Sequence, residues 1–524
     1  MDTSRLLRTS GTLAAAAALL LSALTAGPST PTASAAARPQ DRDEPGTTLA
    51  ADPAGLLRPF YAQKLSWHSC TGKGAGFECA SMKVPLDYAA PHGGDITLAL
   101  SRKRATDPSA RLGSLLVNPG GPGGSAIGYL QGHAATKYPA EVRARYDLVA
   151  VDPRGVGRST PVTCLSDSEM DRYAQADPNP RTTAQARSYV ANLKKFSQGC
   201  ATHAGRILKH VSTVEAARDM DVLRELLGDS KLHYVGASYG TFLGATYAEL
   251  FPSRVGRLVL DGALDPSLGA ERVNREQAAG FQTAFTSFAR DCARHVDCPL
   301  GTSGPDDAGK HLRAFLAGLS GHPLPAGDSR RLTEGLATTG VIAAMYDEGA
   351  WPALRKALAD AAGGDGTVLL ALSDAYYERD ERGAYSNLMA ANSAVNCLDA
   401  PAAFRGPDGV RQALPAFRKV SPVLGEALAW ASLGCAYWPV HPTGHPHRIT
   451  ARGAAPILVV GTTRDPATPY PWARALASQL SSGRLLTYDG DGHTAYTRGS
   501  ECVDEAVDSY LLTRTPPPAS RRCS

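Results

Sequence analysis

Gly236-Ala237-Ser238-Tyr239-Gly240 stands between the apolar run 232–235 and the helix-like run 241–250. A strand that reverses directly into a helix forces strained backbone angles on the central residue. Glycines two positions to either side let the two elements pass closely. Such a turn lifts the serine hydroxyl out of a sheet, and the helix start behind it offers amides and a positive dipole end to a developing oxyanion. Ser238 is therefore a candidate nucleophile.

Outward from this turn the chain alternates. The short apolar run 113–118 ends in Pro119-Gly120-Gly121-Pro122-Gly123-Gly124-Ser125, run 146–151 ends in Asp152-Pro153-Arg154-Gly155, and run 255–260 ends in Asp261-Gly262. Continuous apolar runs of this length are strands buried on both faces, as in a parallel sheet covered by helices. Residues 213–227 carry Ala216, Met220, Leu223 and Leu227 at helical spacing, whereas 82–88 and 95–102 alternate as paired strands. From 268 to about 452 the rhythm becomes helical, with stretches at 270–293, 308–319, 338–362 and 410–431. Strands resume at 457–460 and 484–488 around a helix-like 471–480, and 502–512 reads as a last helix. The pattern predicts an α/β fold: a mostly parallel sheet with a large helical cap inserted between two halves of the core.

Composition narrows the function class. Hydrophobic residues are 43% and charged residues 20% of the 524, ordinary for a folded chain, and 54 basic against 50 acidic residues leave no nucleic-acid or membrane footprint. Arg5 and Arg8 precede an apolar stretch at 13–24 and then Ala33-Ser34-Ala35, the pattern of a secretory signal peptide. The expected organisation is a signal peptide at 1–37, a flexible leader or propeptide at 38–50, core at 51–266, cap at 267–452 and core again at 453–524. Ten cysteines in an exported chain imply disulfides between sequence neighbours, above all Cys70 with Cys79 and Cys292 with Cys298. Tight Cys-x-x-Cys pairs are absent, so no metal is expected, and His441, His445 and His447 read as part of a Pro-rich loop.

A serine hydroxyl needs a histidine to take its proton and a carboxylate to orient that histidine. In a parallel sheet these groups collect beyond the carboxyl ends of the strands. Asp465 follows the 457–460 strand, and His493 follows the 484–488 strand in Asp489-Gly490-Asp491-Gly492-His493. Asp261 also ends a strand, and Asp489 and Asp491 lie beside the histidine, so they stand as rival acids. For an oxyanion hole the amide after the nucleophile is that of Tyr239, and the Pro119–Gly124 loop supplies a second, from Gly121. Asp152-Pro153-Arg154-Gly155 reads as structural.

Asn118-Pro119-Gly120-Gly121-Pro122-Gly123-Gly124, Asp152-Pro153-Arg154-Gly155-Val156-Gly157-Arg158-Ser159, Gly236-Ala237-Ser238-Tyr239-Gly240-Thr241 and Asp465-Pro466-Ala467-Thr468-Pro469 together resemble secreted actinobacterial tripeptidyl aminopeptidases. Those belong with the proline iminopeptidase group of α/β-hydrolases. The resemblance spans nearly the whole mature chain. It implies a Ser238, Asp465, His493 triad, an oxyanion hole of Gly121 and Tyr239, a cap over the active site, and release of short peptides from a free N-terminus without a cofactor. A cap that closes one end of the cleft excludes folded proteins, and carboxylates there can bind the substrate ammonium. Glu378, Asp380 and Glu381 lie in a charged turn, which as a charge run reads first as solvated surface, and Asp399 follows Cys397; Glu378 and Asp399 are the candidates for binding the substrate amine. The same triad would serve a secreted carboxylesterase or lipase. The chain is expected to act outside the cell, as a monomer, on peptides and not on nucleic acid or membranes.

Overall fold

The computed structural model describes residues 55–519 and 521–524, so the expected signal peptide and leader lie outside the described residues. Its strands, in chain order, are β1 (His68–Ser69), β2 (Glu78–Pro85), β3 (Asp95–Lys103), β4 (Gly113–Asn118), β5 (Tyr146–Val151), β6 (Leu232–Ala237), β7 (Val255–Asp261), β8 (Leu324–Pro325), β9 (Arg331–Leu332), β10 (Ile457–Arg464), β11 (Gly483–Asp491) and β12 (Arg521–Cys523). Ten of them form one sheet in the order β1-β2-β3-β5-β4-β6-β7-β10-β11-β12, while β8 and β9 pair apart within the cap. Everything from β5 to β12 in that order is parallel. Every residue of β4, β5 and β7 is buried. This is why those runs are continuously apolar: helices cover both faces.

One apolar cluster joins the sheet to helices Thr213–Leu226, Tyr239–Leu250 and Tyr470–Gln479, and another fills the opposite face against Glu501–Thr513. Register sets the catalytic edge. Asn118 lies opposite Gly236, Ala237 opposite Asp261, Asp261 opposite Val460, and Arg464 opposite Asp491. The residues just past β4, β6, β10 and β11 therefore emerge side by side along one edge.

Between β7 and β10 the cap has its own core, built on Phe281, Phe285, Phe288, Trp351, Phe417 and Trp430. The expected helix over 338–362 is two helices, Glu334–Met345 and Trp351–Ala362. Pro352 has no amide to donate and sits in the first turn of the second helix, where that loss costs nothing. The expected helix over 410–431 is likewise two, Pro407–Val420 and Gly425–Ala431, with Pro422 in the gap. A 21-residue helix, Thr183–His203, lies between β5 and β6. Thr182 and Gln185 form its capping box. Its Ala186 and Leu193 enter the cap core and its Phe196 and Cys200 the sheet core, so it ties the two together.

All ten cysteines are paired, as Cys70–Cys79, Cys164–Cys200, Cys292–Cys298, Cys397–Cys435 and Cys502–Cys523. Each bond closes a loop of 6 to 38 residues between sequence neighbours. No helix among the described residues is long and apolar enough to cross a membrane.

Arg154 shows what the Asp152-Pro153-Arg154-Gly155 turn does. Its side chain is wholly buried, its Nε and Nη2 donate to the two oxygens of Asp219 at 2.7 Å each, and its other hydrogens go to the carbonyls of Pro85, Leu86 and His210. The pair stitches β2 and the β5 turn to helix Thr213–Leu226. Removing one partner of such a pair strands a buried charge, which costs about 3–5 kcal/mol. Asp219→Ala is therefore expected to lower unfolding stability by that amount in urea titration, whereas Asp489→Ala, at an exposed pair with Arg464, is expected to change it by less than about 1 kcal/mol.

Candidate active site

Ser238 holds φ 55° and ψ −125°, the strained turn expected of it. The surroundings enforce that geometry. Its amide donates to the Asp261 carbonyl at 2.8 Å, and its own carbonyl accepts from Thr241 N at 2.8 Å and Thr241 Oγ1 at 2.6 Å. A Cβ at Gly236 would lie 2.4 Å from the Gly240 carbonyl oxygen, so the first flanking glycine is required by contact with the second.

The Pro119–Gly124 loop presses against this turn. A Cβ on Gly120 would stand 2.4 Å from the Ala237 carbonyl oxygen and 2.9 Å from Tyr239 N. Gly120 N donates to Asn118 Oδ1 at 2.8 Å and Gly124 N to the Gly120 carbonyl at 3.2 Å, while Pro122 has no amide hydrogen. Neither Gly121 N–H nor Tyr239 N–H, the first of its helix, meets an acceptor among the described residues. The Gly120 contact brings this loop against the serine turn, and the Gly121 and Tyr239 amides on the two segments are left without an acceptor among the described residues.

Asp465 is the residue immediately after β10, and its side chain is fully buried. Its oxygens accept from Ala467 N, Thr468 N, Thr468 Oγ1 and Thr494 N at 2.8–3.2 Å, and both stand 2.9 Å from His493 Nδ1. That constellation holds His493 in one orientation and favours the tautomer that leaves Nε2 free to accept a proton. Nε2 is buried and has no hydrogen-bond partner among the described residues, and no hydrogen bond joins it to Ser238 Oγ. Unliganded catalytic contacts are often open in this way. The ring nevertheless reaches the serine turn: a Cβ on Gly262 would lie 3.2 Å from His493 Cε1, and Gly262 directly follows the Asp261 that receives the Ser238 amide.

The rival acids do other work. Asp261 accepts from Ala495 N and Tyr496 N at 2.9–3.1 Å, anchoring the loop after His493; burial pushes its carboxyl up to about 6. Asp489 and Asp491 both pair with Arg464 at 2.9 Å.

Several contributors carried no periodic signal. Thr468 Oγ1 donates to Asp465 Oδ2 at 3.0 Å and lies 3.3 Å from His493 Nδ1; a threonine three residues past a strand-end aspartate is a local turn signature that sequence can offer. Tyr346 comes from the cap. Its carbonyl accepts His493 N at 2.8 Å, and its ring meets the imidazole edge-on at 5.5 Å. Arg498 then bonds the Tyr346 carbonyl and Asp347 Oδ1, fastening the cap turn to the histidine loop.

The two expected amine-binding carboxylates are placed differently. Glu378 ends helix Thr367–Tyr377 in the left-handed region, φ 51°, at the base of a hairpin in which Arg379 pairs with Tyr385. Its Oε2 accepts from Ser386 Oγ, and no cation pairs with it among the described residues. Burial raises its pKa, the Ser386 hydrogen bond lowers it, and the Asp152 charge raises it. The hairpin stands on the turn after β5, where Asn387 bonds Gly155, Gly157 and Val162. Asp399 instead spends one oxygen on Thr213 N at 2.8 Å and the other on Thr213 Oγ1. These two bonds tie Asp399 to the start of helix Thr213–Leu226, and each of its oxygens keeps a second lone pair. Asp380 and Glu381 are exposed, and Asp380 bonds Arg382.

Comparison with known proteins places this geometry. Residues 113–335 match the family described as alpha/beta hydrolase fold, and residues 421–523 match the one described as TAP-like protein. Serine protease Hip1 of Mycobacterium tuberculosis is 39% identical over 489 residues, covering 90% of this chain and 93% of that protein. Carboxylesterase B of Mycobacterium tuberculosis is 39% identical over 479 residues, covering 89% and 91%. Tripeptidyl aminopeptidase of Streptomyces lividans is 32% identical over 501 residues, covering 91% and 88%.

Proposed function

The chain belongs to the α/β-hydrolases, as a serine hydrolase of their tripeptidyl aminopeptidase-like group, and from that membership we propose that it is a secreted exopeptidase releasing tripeptides or other short peptides from a free N-terminus. In this reading Ser238 attacks the scissile carbonyl, and His493 takes its proton and returns it to the leaving amine. Asp465 stabilises the imidazolium, and the Gly121 and Tyr239 amides receive the oxyanion. Water then resolves the acyl-enzyme by the same route in reverse. Five disulfides fit an oxidising compartment, in keeping with the expected signal peptide.

The observation that carries the exopeptidase reading is Glu378: a half-buried cap carboxylate with no protein cation of its own among the described residues, in the hairpin that stands on the turn after β5. A substrate ammonium would supply the missing charge, and a charge-assisted bond of that kind is worth about 1.5–3 kcal/mol. Glu378→Gln is therefore expected to raise KM for a chromogenic tripeptide amide with a free N-terminus roughly 10- to 100-fold, with a smaller change in kcat. The N-blocked amide should be unaffected by that substitution and be a poor substrate of either form. Equal turnover of free and blocked peptides by the unsubstituted enzyme would defeat the exopeptidase reading. The 39% identity to a protein named carboxylesterase supports a second reading, esterase action by the same triad; activity on aryl esters alone would favour it.

A further inference from the structure

Helix Leu388–Asp399 touches both segments that present the free amides. At its start, a Cβ on Gly123 would lie 2.5 Å from the Leu388 carbonyl oxygen and 2.9 Å from Asn392 N, and Asn392 Nδ2 donates to the Pro122 carbonyl at 3.0 Å. Pro122 is the next residue after Gly121. At its end, Asp399 receives Thr213 N and Thr213 Oγ1, and Thr213 Oγ1 in turn meets the Tyr239 hydroxyl. Thr213 Oγ1 donates its hydrogen to Asp399 Oδ2, so Tyr239 O–H donates to Thr213 Oγ1. Tyr239 is the residue whose backbone amide faces the serine. The twelve-residue helix is about 18 Å long and is pinned near its end by the Cys397–Cys435 disulfide and by Gly444, where a Cβ would lie 2.3 Å from the Asp399 carbonyl oxygen.

We propose that this cap helix is the brace that sets the two oxyanion amides relative to one another, with Asp399 and Thr213 as positioning residues that hold Tyr239. The proposal rests on the serine-hydrolase reading of the site. It gives the cap a part in the chemistry as well as in substrate selection: movement of one rigid helix shifts the Gly121 loop and the Tyr239 ring together. Oxyanion contacts are made in the transition state, so slackening the brace costs kcat and leaves ground-state binding nearly untouched.

An aspartate is a costly choice for a purely structural tether. Burial, reinforced by the Glu215 charge and opposed by the Thr213 hydrogen bonds, pushes Asp399 up to about 7. Glu215 itself faces Arg154 at 3.5 Å and His210 at 3.4 Å, and among the described residues no cation bonds Asp399 directly. The native carboxylate binds its proton more tightly than an unfolded one. Its contribution to stability is therefore complete below the usual carboxylate range and is lost as pH rises through about 7. Asp399→Asn is expected to raise the melting temperature relative to the unsubstituted protein more at pH 8.5 than at pH 5.

The test is steady-state kinetics on the full mature enzyme with a tripeptide amide, with rates expressed per active site titrated by a serine-directed phosphonate. Thr213→Val and Tyr239→Phe are each expected to lower kcat tenfold or more with KM within about twofold. The double variant should be no slower than the worse single one, because both break one chain. Thr213→Ser should recover most of the loss, and Asp399→Asn, which can still bond Thr213, should lose less kcat than Asp399→Ala. Unchanged kcat in Thr213→Val, a loss confined to KM, or independent losses in the double variant would overturn the brace. Should Thr213→Val fail to fold, Tyr239→Phe, which leaves Asp399 and Thr213 bonded, decides alone. Turnover surviving in Ser238→Ala would instead overturn the assignment of the active site itself.

Discussion

Ser238→Ala is expected to lower kcat by about six orders of magnitude, the scale seen when a triad nucleophile is removed, while melting temperature and yield of the purified protein stay within the normal range. The hydroxyl makes no hydrogen bond that the fold depends on: the turn is held by the Ser238 amide on Asp261 and the Ser238 carbonyl on Thr241, and alanine keeps both. Backbone strain at φ 55° is present in either residue, since both carry a Cβ. Residual hydrolysis should remain above the solution rate, because the free amides and the peptide-binding surface survive. Single-turnover assays with the tripeptide amide, beside a thermal melt of the same preparation, check both halves of this expectation. A Ser238→Ala enzyme within tenfold of the original would remove the serine from the mechanism.

Asp465→Asn is expected to cost about four orders of magnitude in kcat through a change of tautomer. The amides of Ala467, Thr468 and Thr494 all point at this side chain, as does the Thr468 hydroxyl, so an asparagine must turn its single oxygen toward some of these donors and its NH2 toward the imidazole. An N–H facing His493 Nδ1 makes Nδ1 the acceptor and puts the ring proton on Nε2, where it blocks removal of the serine proton. Asp261→Asn is the matching control. That carboxylate anchors Ala495 and Tyr496 amides and touches neither ring nitrogen, so its loss should act through loop stability, with a far smaller fall in kcat. Measured kcat ratios for the two variants decide which acid orients the histidine.

The legibility of the fold in the sequence varied with the range over which each signal acts. Runs 113–118 and 146–151 coincide with β4 and β5 because a strand buried on both faces must be apolar at every position, and that pattern is local. The ends of β10 and β11 were less exact: both continue past their apolar cores, β11 through Asp489 to Asp491, because hydrogen bonding to the neighbouring strand persists after burial stops. Helix Thr183–His203 carries no single apolar stripe in the sequence, since its apolar residues are divided between two cores.

By itself, then, the sequence determined the α/β order, the strained serine turn and the strand ends from which Ser238, Asp465 and His493 emerge, since strand burial, glycine geometry and turn chemistry are written in neighbouring residues. Cysteine spacing favoured bonds between sequence neighbours, above all Cys70–Cys79 and Cys292–Cys298, and the structure supplied the full pairing. Only the tertiary structure decided which acid meets the imidazole, for four carboxylates competed and their separation depends on sheet register. Only it brought Tyr346 onto His493, Asp399 onto Thr213 and Glu378 onto Ser386. The first two contacts join residues far apart in the chain, through a cap whose packing angle no local pattern encodes.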